Sequence, residues 1–148
     1  EYLNVDILGM KGKSRVITVP ADIQKLWNDV RVILRNPVIA RYELKEDIQL
    51  GKKAGITALC EYSLLSDNEY PTYAITKKEI TESRIRKMKQ VHSGEEIGCV
   101  VLELGYFIDF KNKKLEDPLS VTLSLTESEK QDERIGISIK RMLEEYVW

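Results

Sequence analysis

Residues 95–110, EEIGCVVLELGYFIDF, constrain this chain more than any other stretch. Ile97, Cys99, Val101, Glu103 and Gly105 share one face of an extended chain, and Val100, Leu102, Leu104 and Tyr106 share the other. Both faces are largely apolar, which predicts a central strand covered on both sides. The fold must therefore supply a layer of helices or further strands above and below it. Gly105 predicts a bulge or a close approach of another backbone. Glu103 is an acid in apolar sequence. It reads as a carboxylate of raised pKa, or as a residue that faces solvent or pairs with a nearby arginine, and the latter pair of readings is expected over the first.

The covering layers are sought elsewhere in the chain. Residues 53–75 read as a helix, a polar turn and a short strand. Ile56, Leu59, Cys60, Ser63 and Leu64 trace one predicted face, with Ala54, Ala58 and Leu65 beside it and Thr57 and Glu61 on the surface. Tyr62, Tyr70 and Tyr73 cluster in this stretch. They read as packed rings with satisfied hydroxyls, or as an aromatic ligand or partner surface; the residues alone favour packing.

Asp22 predicts the start of a helix carrying a stripe of Ile23, Leu26, Trp27, Val30, Ile33 and Leu34, stopped before Pro37. Residues 38–44 read as a strand and 45–52 as a polar loop. Thr76 with Glu79 three positions later predicts a capping box. The run 84–90, RIRKMKQ, is the most basic in the chain, and its pattern leaves helix and strand open. His92, the one histidine, falls in a predicted surface turn. Asp117-Pro118 reads as an N-cap and first helical position, which favours helix over strand for 117–125. Ile135, Ile139, Met142, Leu143 and Tyr146 predict a C-terminal amphipathic helix over 134–148.

Ahead of all this, 2–8 and 15–19 read as two strands joined by a turn at 9–14 that holds two glycines and two lysines. Lys11, Lys13 and Arg15 give that hairpin a basic tip, either a solvated loop or a wing touching phosphates. The predicted fold class is α+β: a small mixed or antiparallel sheet packed with helices, preceded by a wing-like β-hairpin. The expected division is a remnant wing at 1–20 and a regulatory or interaction domain at 21–148. Because Glu1 leads straight into a predicted strand, a preceding segment is expected.

The 148 residues carry 23 basic and 24 acidic side chains, a formal net charge of -1. That balance argues against a nucleic-acid surface spread over the whole chain and leaves room for a local basic patch. Cys60 and Cys99, each among apolar neighbours, read as reduced, buried thiols without metal-ligand spacing. No apolar run reaches the ~20 residues of a membrane span, and no signal peptide is visible, so the expectation is a cytoplasmic protein that does not engage membranes. No cofactor or metal is expected. The sequence contains no glycine-rich phosphate loop and no serine nucleophile elbow. Glu103 and Asp109, with Lys111 nearby, share residue types with metal nucleases, but six residues along a strand separate the two acids by ~20 Å.

Three segments carry a resemblance. GMKGKSRVITV followed by LWNDVRVILRNPV looks like a wing leading into a helix and a strand. AGITALCEYSLL with YPTYAI looks like a central helix, turn and strand. EDPLSVTLSL with DERIGISIKRMLEEYVW looks like a closing segment. Together they resemble the C-terminal part of bacterial winged-helix transcriptional regulators of the MarR type, close to AbiEi-like antitoxin regulators. The resemblance implies a helix-turn-helix before Glu1, DNA as the partner of the full-length protein, and Lys11, Lys13 and Arg15 as wing contacts to phosphate. It implies no catalysis; the remainder would sense a ligand, form a homodimer or bind a partner protein. The alternatives are a small nuclease-like or nucleotide-modifying domain built on Glu103, Asp109 or the tyrosines, and an antitoxin-type protein-binding module.

Overall fold

The computed structural model describes residues 8–11, 14–17, 21–66, 68–108 and 110–148. They fall into two compact units, Glu1–Arg35 with Trp148, and Asn36–Val147.

In the first unit, β1 (Leu8–Lys11) pairs antiparallel with β2 (Ser14–Ile17), Lys11 lying opposite Ser14. The hairpin is as expected, but its strands are shifted: Gly9, Met10 and Lys11 belong to the ladder and not to the turn. The helix α1 (Ile23–Val30) starts where predicted, with the Asp22 carboxylate accepting the Lys25 N–H at 2.8 Å. It ends earlier than expected, in a tight turn where the Ile33 N–H reaches back to the Val30 carbonyl. Of the predicted stripe only Trp27 is buried; Ile23, Ile33 and Leu34 are exposed.

The second unit is built on the predicted central strand. Its described strands are β3 (Val38–Leu44), β4 (Lys52–Lys53), β5 (Thr72–Thr76) and β6 (Cys99–Leu104), in the order β3-β6-β5-β4. β6 runs antiparallel to β3 and parallel to β5, and β4 is antiparallel to β5, so the sheet is mixed. The parallel pair needs a crossover. It is made by α3 (Lys77–Ser83) and a 3-10 turn (Ile85–Lys87), which settle the structure of the basic run as neither long helix nor strand.

Every residue of β6 is buried, and its side chains divide by parity. Cys99 and Val101 join Leu44, Tyr73, Ile75, Ile80 and Ile85 in one core cluster under α3 and the turn. Val100, Leu102 and Leu104 join Ala54 and Ala74 in a second cluster. The ladder is shorter than the predicted 95–110. Before it, the Glu95 N–H bonds the His92 carbonyl in a turn; after it, the Gly105 N–H bonds the Pro37 carbonyl at 2.9 Å. A side chain at Gly105 would press on the Ile39 side chain, whereas the nearest backbone atom, the Pro37 carbonyl oxygen, is at ordinary contact distance.

The remaining helices are α2 (Gly55–Tyr62), α4 (Pro118–Ser124), α5 (Glu127–Gln131) and α6 (Glu133–Tyr146). α2, α4 and α6 contact one another, and α2 rests on β5. The helix at 117–125 is as predicted, capped by Asp117 with proline at its first position. The buried face of α2 is only partly the predicted one: Leu59, with Ala54 and Ala58, is buried, but the face is rotated. Leu64 lies beyond the helix, 89% exposed, whereas Thr57 and Tyr62 are buried. Thr57 goes inside because its hydroxyl oxygen accepts the Thr72 N–H at 2.7 Å, which ties the helix to the strand. Cys99 is buried as expected, but Cys60 is only half-buried.

Thr76 and Glu79 form the full capping box at the start of α3. Thr76→Ala should cost about 1 kcal/mol, read as a lower urea midpoint at unchanged m value.

Candidate polyanion-binding cleft

Two dilysine pairs, distant in sequence, meet at the β4 edge of the sheet. The first, Lys52-Lys53, is β4 itself, held by its register with Ala74 and Tyr73. The second, Lys113-Lys114, lies in the turn after β6. The Lys53 N–H donates to the Lys114 carbonyl at 2.9 Å, and the Glu116 N–H donates to the Lys53 carbonyl at 2.8 Å. These backbone bonds make 114–116 a further rung beside β4.

The two pairs border a cleft of about 1010 Å³ whose walls include Gln49, Gly51, Phe107 and Thr76. The Lys52 ammonium lies 5.1 Å from the centre of the Phe107 ring, a cation–π contact that fixes the charge at the wall. Lys53 forms an ion pair with Glu61. Among the described residues, Lys52, Lys113 and Lys114 have no carboxylate in ion-pair range. Glu79, the acid on the cleft wall, is engaged elsewhere: its Oε2 accepts the Thr76 N–H and hydroxyl, both at 2.7 Å. Among the described residues the cleft thus places three lysines without an ion-pair partner around an aromatic face, with the Glu79 carboxylate on the same wall. Ammonium groups bind phosphate as point charges, and an aromatic face can stack on a base.

Behind the lysines sits Glu116, 1% exposed. Ala54 gives α2 no side-chain cap. Glu116 does so from across the sequence, its Oε2 accepting the Gly55 N–H at 3.1 Å and the Ser124 hydroxyl at 3.3 Å. Its Oε1 is buried without a hydrogen bond. Burial, chiefly, with the Asp117 charge adding to it, raises its pKa to about 7, although the Gly55 N–H, the Ser124 hydroxyl and the Lys52 charge pull it down.

The three tyrosines do not converge. The Tyr62 hydroxyl donates to the Glu116 carbonyl at 2.9 Å, and its ring meets Tyr146 edge-on. Burial first, then the Asp117 and Glu116 charges, raise its pKa. Tyr73 belongs to the core under α3 and also touches the cleft; burial, with Asp47 beside it, pushes its hydroxyl up to about 12. Tyr70 packs on the opposite cluster and accepts a hydrogen bond from Arg41 at 3.2 Å. Lys11 lies in β1 and Arg15 in β2; Lys13 lies outside the described residues.

Glu103 is buried and accepts from the Tyr42 hydroxyl at 3.0 Å and from Arg86 at 3.2 Å, so of the two expected readings it is the arginine pair and not the solvent-facing acid. Asp109, weighed with it as a nuclease acid, lies outside the described residues. Among the described residues no group of three or more His, Cys, Asp or Glu side chains is placed to hold a metal, and no helix is long and apolar enough to cross a membrane.

Sequence reasoning missed β4, the cleft and Glu116. The signal available was the recurrence of Lys-Lys at 52–53 and 113–114; nothing local says that the pairs touch. The chain matches no protein-family model, no curated protein and no solved structure.

Proposed function

We propose that this chain is the regulatory or interaction part of a bacterial DNA-binding transcriptional regulator, and that the lysine cleft is a contact for the DNA backbone. The observation that carries the reading is the set of three lysines, Lys52, Lys113 and Lys114, that have no ion-pair partner among the described residues and surround the Phe107 ring at one sheet edge. A chain of net charge -1 has no general attraction for DNA, so such a local cluster would have to supply it. The basic hairpin residues Lys11, Lys13 and Arg15 would add charge from the first unit.

The test is fluorescence anisotropy of this chain with a labelled random-sequence duplex of about 20 base pairs. Binding should fall in the range of non-specific affinities, roughly 10⁻⁴ to 10⁻⁶ M, and weaken steeply between about 50 and 200 mM salt. The triple variant Lys52→Gln, Lys113→Gln, Lys114→Gln should lower the magnitude of the salt slope by about 2 to 3. Binding that ignores salt, or an unchanged slope in the variant, would overturn the cleft's role.

A further inference from the structure

The basic run at 84–89 has no part in the cleft or the core, except for Ile85. Arg84, Arg86, Lys87 and Lys89 are all exposed. Between 77 and 89 the chain carries six cations against two carboxylates, Glu79 and Glu82. Glu79 is held in the capping box, and Glu82 pairs with Lys78. Arg86 is spent on Glu103 and Tyr42. Among the described residues, Arg84, Lys87 and Lys89 have no carboxylate in ion-pair range.

The backbone that displays these charges is held at several points. Ile85 is fully buried in the core under the sheet. Arg84 takes a left-handed conformation at φ 57°, which ends α3, and the Lys87 N–H closes the turn on the Arg84 carbonyl at 2.8 Å. Beyond it, Gln90 bridges Leu44, and the Val91 N–H bonds the Glu43 carbonyl at 2.9 Å. The segment therefore starts at the end of β5, where Thr76 and Glu79 wall the cleft, and crosses the sheet to β3.

We propose that this exposed ridge, continuous with the lysine cleft through α3, is a second contact for the phosphate backbone of double-stranded DNA. The inference rests on the reading of the cleft and deepens it. Four strands span about 14 Å, a length of duplex axis that carries roughly eight phosphate charges. Met88 is the one exposed large apolar side chain on the ridge. A protein partner would find little there to bury, whereas phosphate contacts need only charge and hydrogen bonds.

The variant Arg84→Gln, Lys87→Gln, Lys89→Gln is compared with the wild-type chain in the same anisotropy titration. Lys87→Gln with Lys89→Gln alone leaves the left-handed position untouched and covers the case in which the triple variant folds poorly. Lys130→Gln with Lys140→Gln and Arg141→Gln, all exposed on α5 and α6, removes three positive charges elsewhere and controls for net charge. The triple variant should bind roughly 10- to 100-fold more weakly at about 0.1 M salt, with a slope smaller by about 2 to 3, and the double variant by about 2. An unchanged slope in folded ridge variants, with the cleft variant still impaired, would overturn the ridge and leave the cleft standing. An equal loss in the three-charge control variant would also overturn it. If the wild-type chain shows no salt-dependent binding, both readings fail together.

Discussion

Raising the pH from about 4.5 to about 8 should remove about 3 kcal/mol of folding stability through Glu116 alone. The sign follows from proton counting. An unfolded glutamate has its ordinary value near 4.5, and the folded one titrates at about 7. Between these values the folded chain holds a proton that the unfolded chain has lost, so stability falls as pH rises. The contribution is complete below about 4.5, declines by about 1.4 kcal/mol per pH unit, and is gone above about 7. Against a typical total of about 5–15 kcal/mol this is a large share. Other carboxylates act in the opposite direction: Lys45 and the His92 N–H hold Glu95 low, and Arg134 holds Asp132 low. The clean observable is therefore a difference. Urea unfolding of wild type and Glu116→Gln at pH 5, 6, 7 and 8 should give stability curves that diverge by about 3 kcal/mol in favour of the glutamine as pH rises. A pH-independent offset from the amide cancels in that comparison. Parallel curves would show that Glu116 does not titrate in this range.

The α+β architecture was legible because its main signals are local. Two largely apolar faces over 95–110 predicted a strand covered on both sides, of which 99–104 form the ladder, and the Thr76/Glu79 and Asp117-Pro118 pairs predicted two helix starts. Sequence reasoning failed where a residue's fate is decided by a partner far along the chain. Thr57 looks like a surface position until Thr72 supplies an N–H for its hydroxyl. Glu116 is unremarkable until Gly55, distant in sequence, turns it into the cap of α2. The cleft has the same origin: Lys53 meets Lys114 through backbone atoms, which carry no sequence signature. Tyr62, Tyr70 and Tyr73 show what closeness in sequence leaves open: packing was the favoured reading over a shared surface, and helix, turn and strand send the three rings to different surroundings.

Gly51→Ala should cost about 4 kcal/mol and displace the cleft wall from β5. Gly51 has φ +89°, a region that side-chain-bearing residues adopt only with strain, at about 1–2 kcal/mol. A Cβ there would also lie 2.2 Å from Ile75 Cγ2 and 2.4 Å from the Ala74 carbonyl oxygen. Neither neighbour can yield cheaply. Ile75 is fully buried in the core, and Ala74 is registered with Lys52 on one side and Leu102 on the other. Overpacking of this kind adds about 1–3 kcal/mol. Gly94 separates the two contributions. Its φ of +87° is nearly the same, but an added Cβ would meet nothing within 4 Å. Gly94→Ala should therefore lose only the conformational part, about 1–2 kcal/mol, and leave the cleft intact. Urea midpoints for the two variants, with duplex anisotropy on each, read both consequences at once. Equal losses of stability would mean that β5 gives way at Ala74, and that the cleft wall is not set by the contact between Gly51 and the strand.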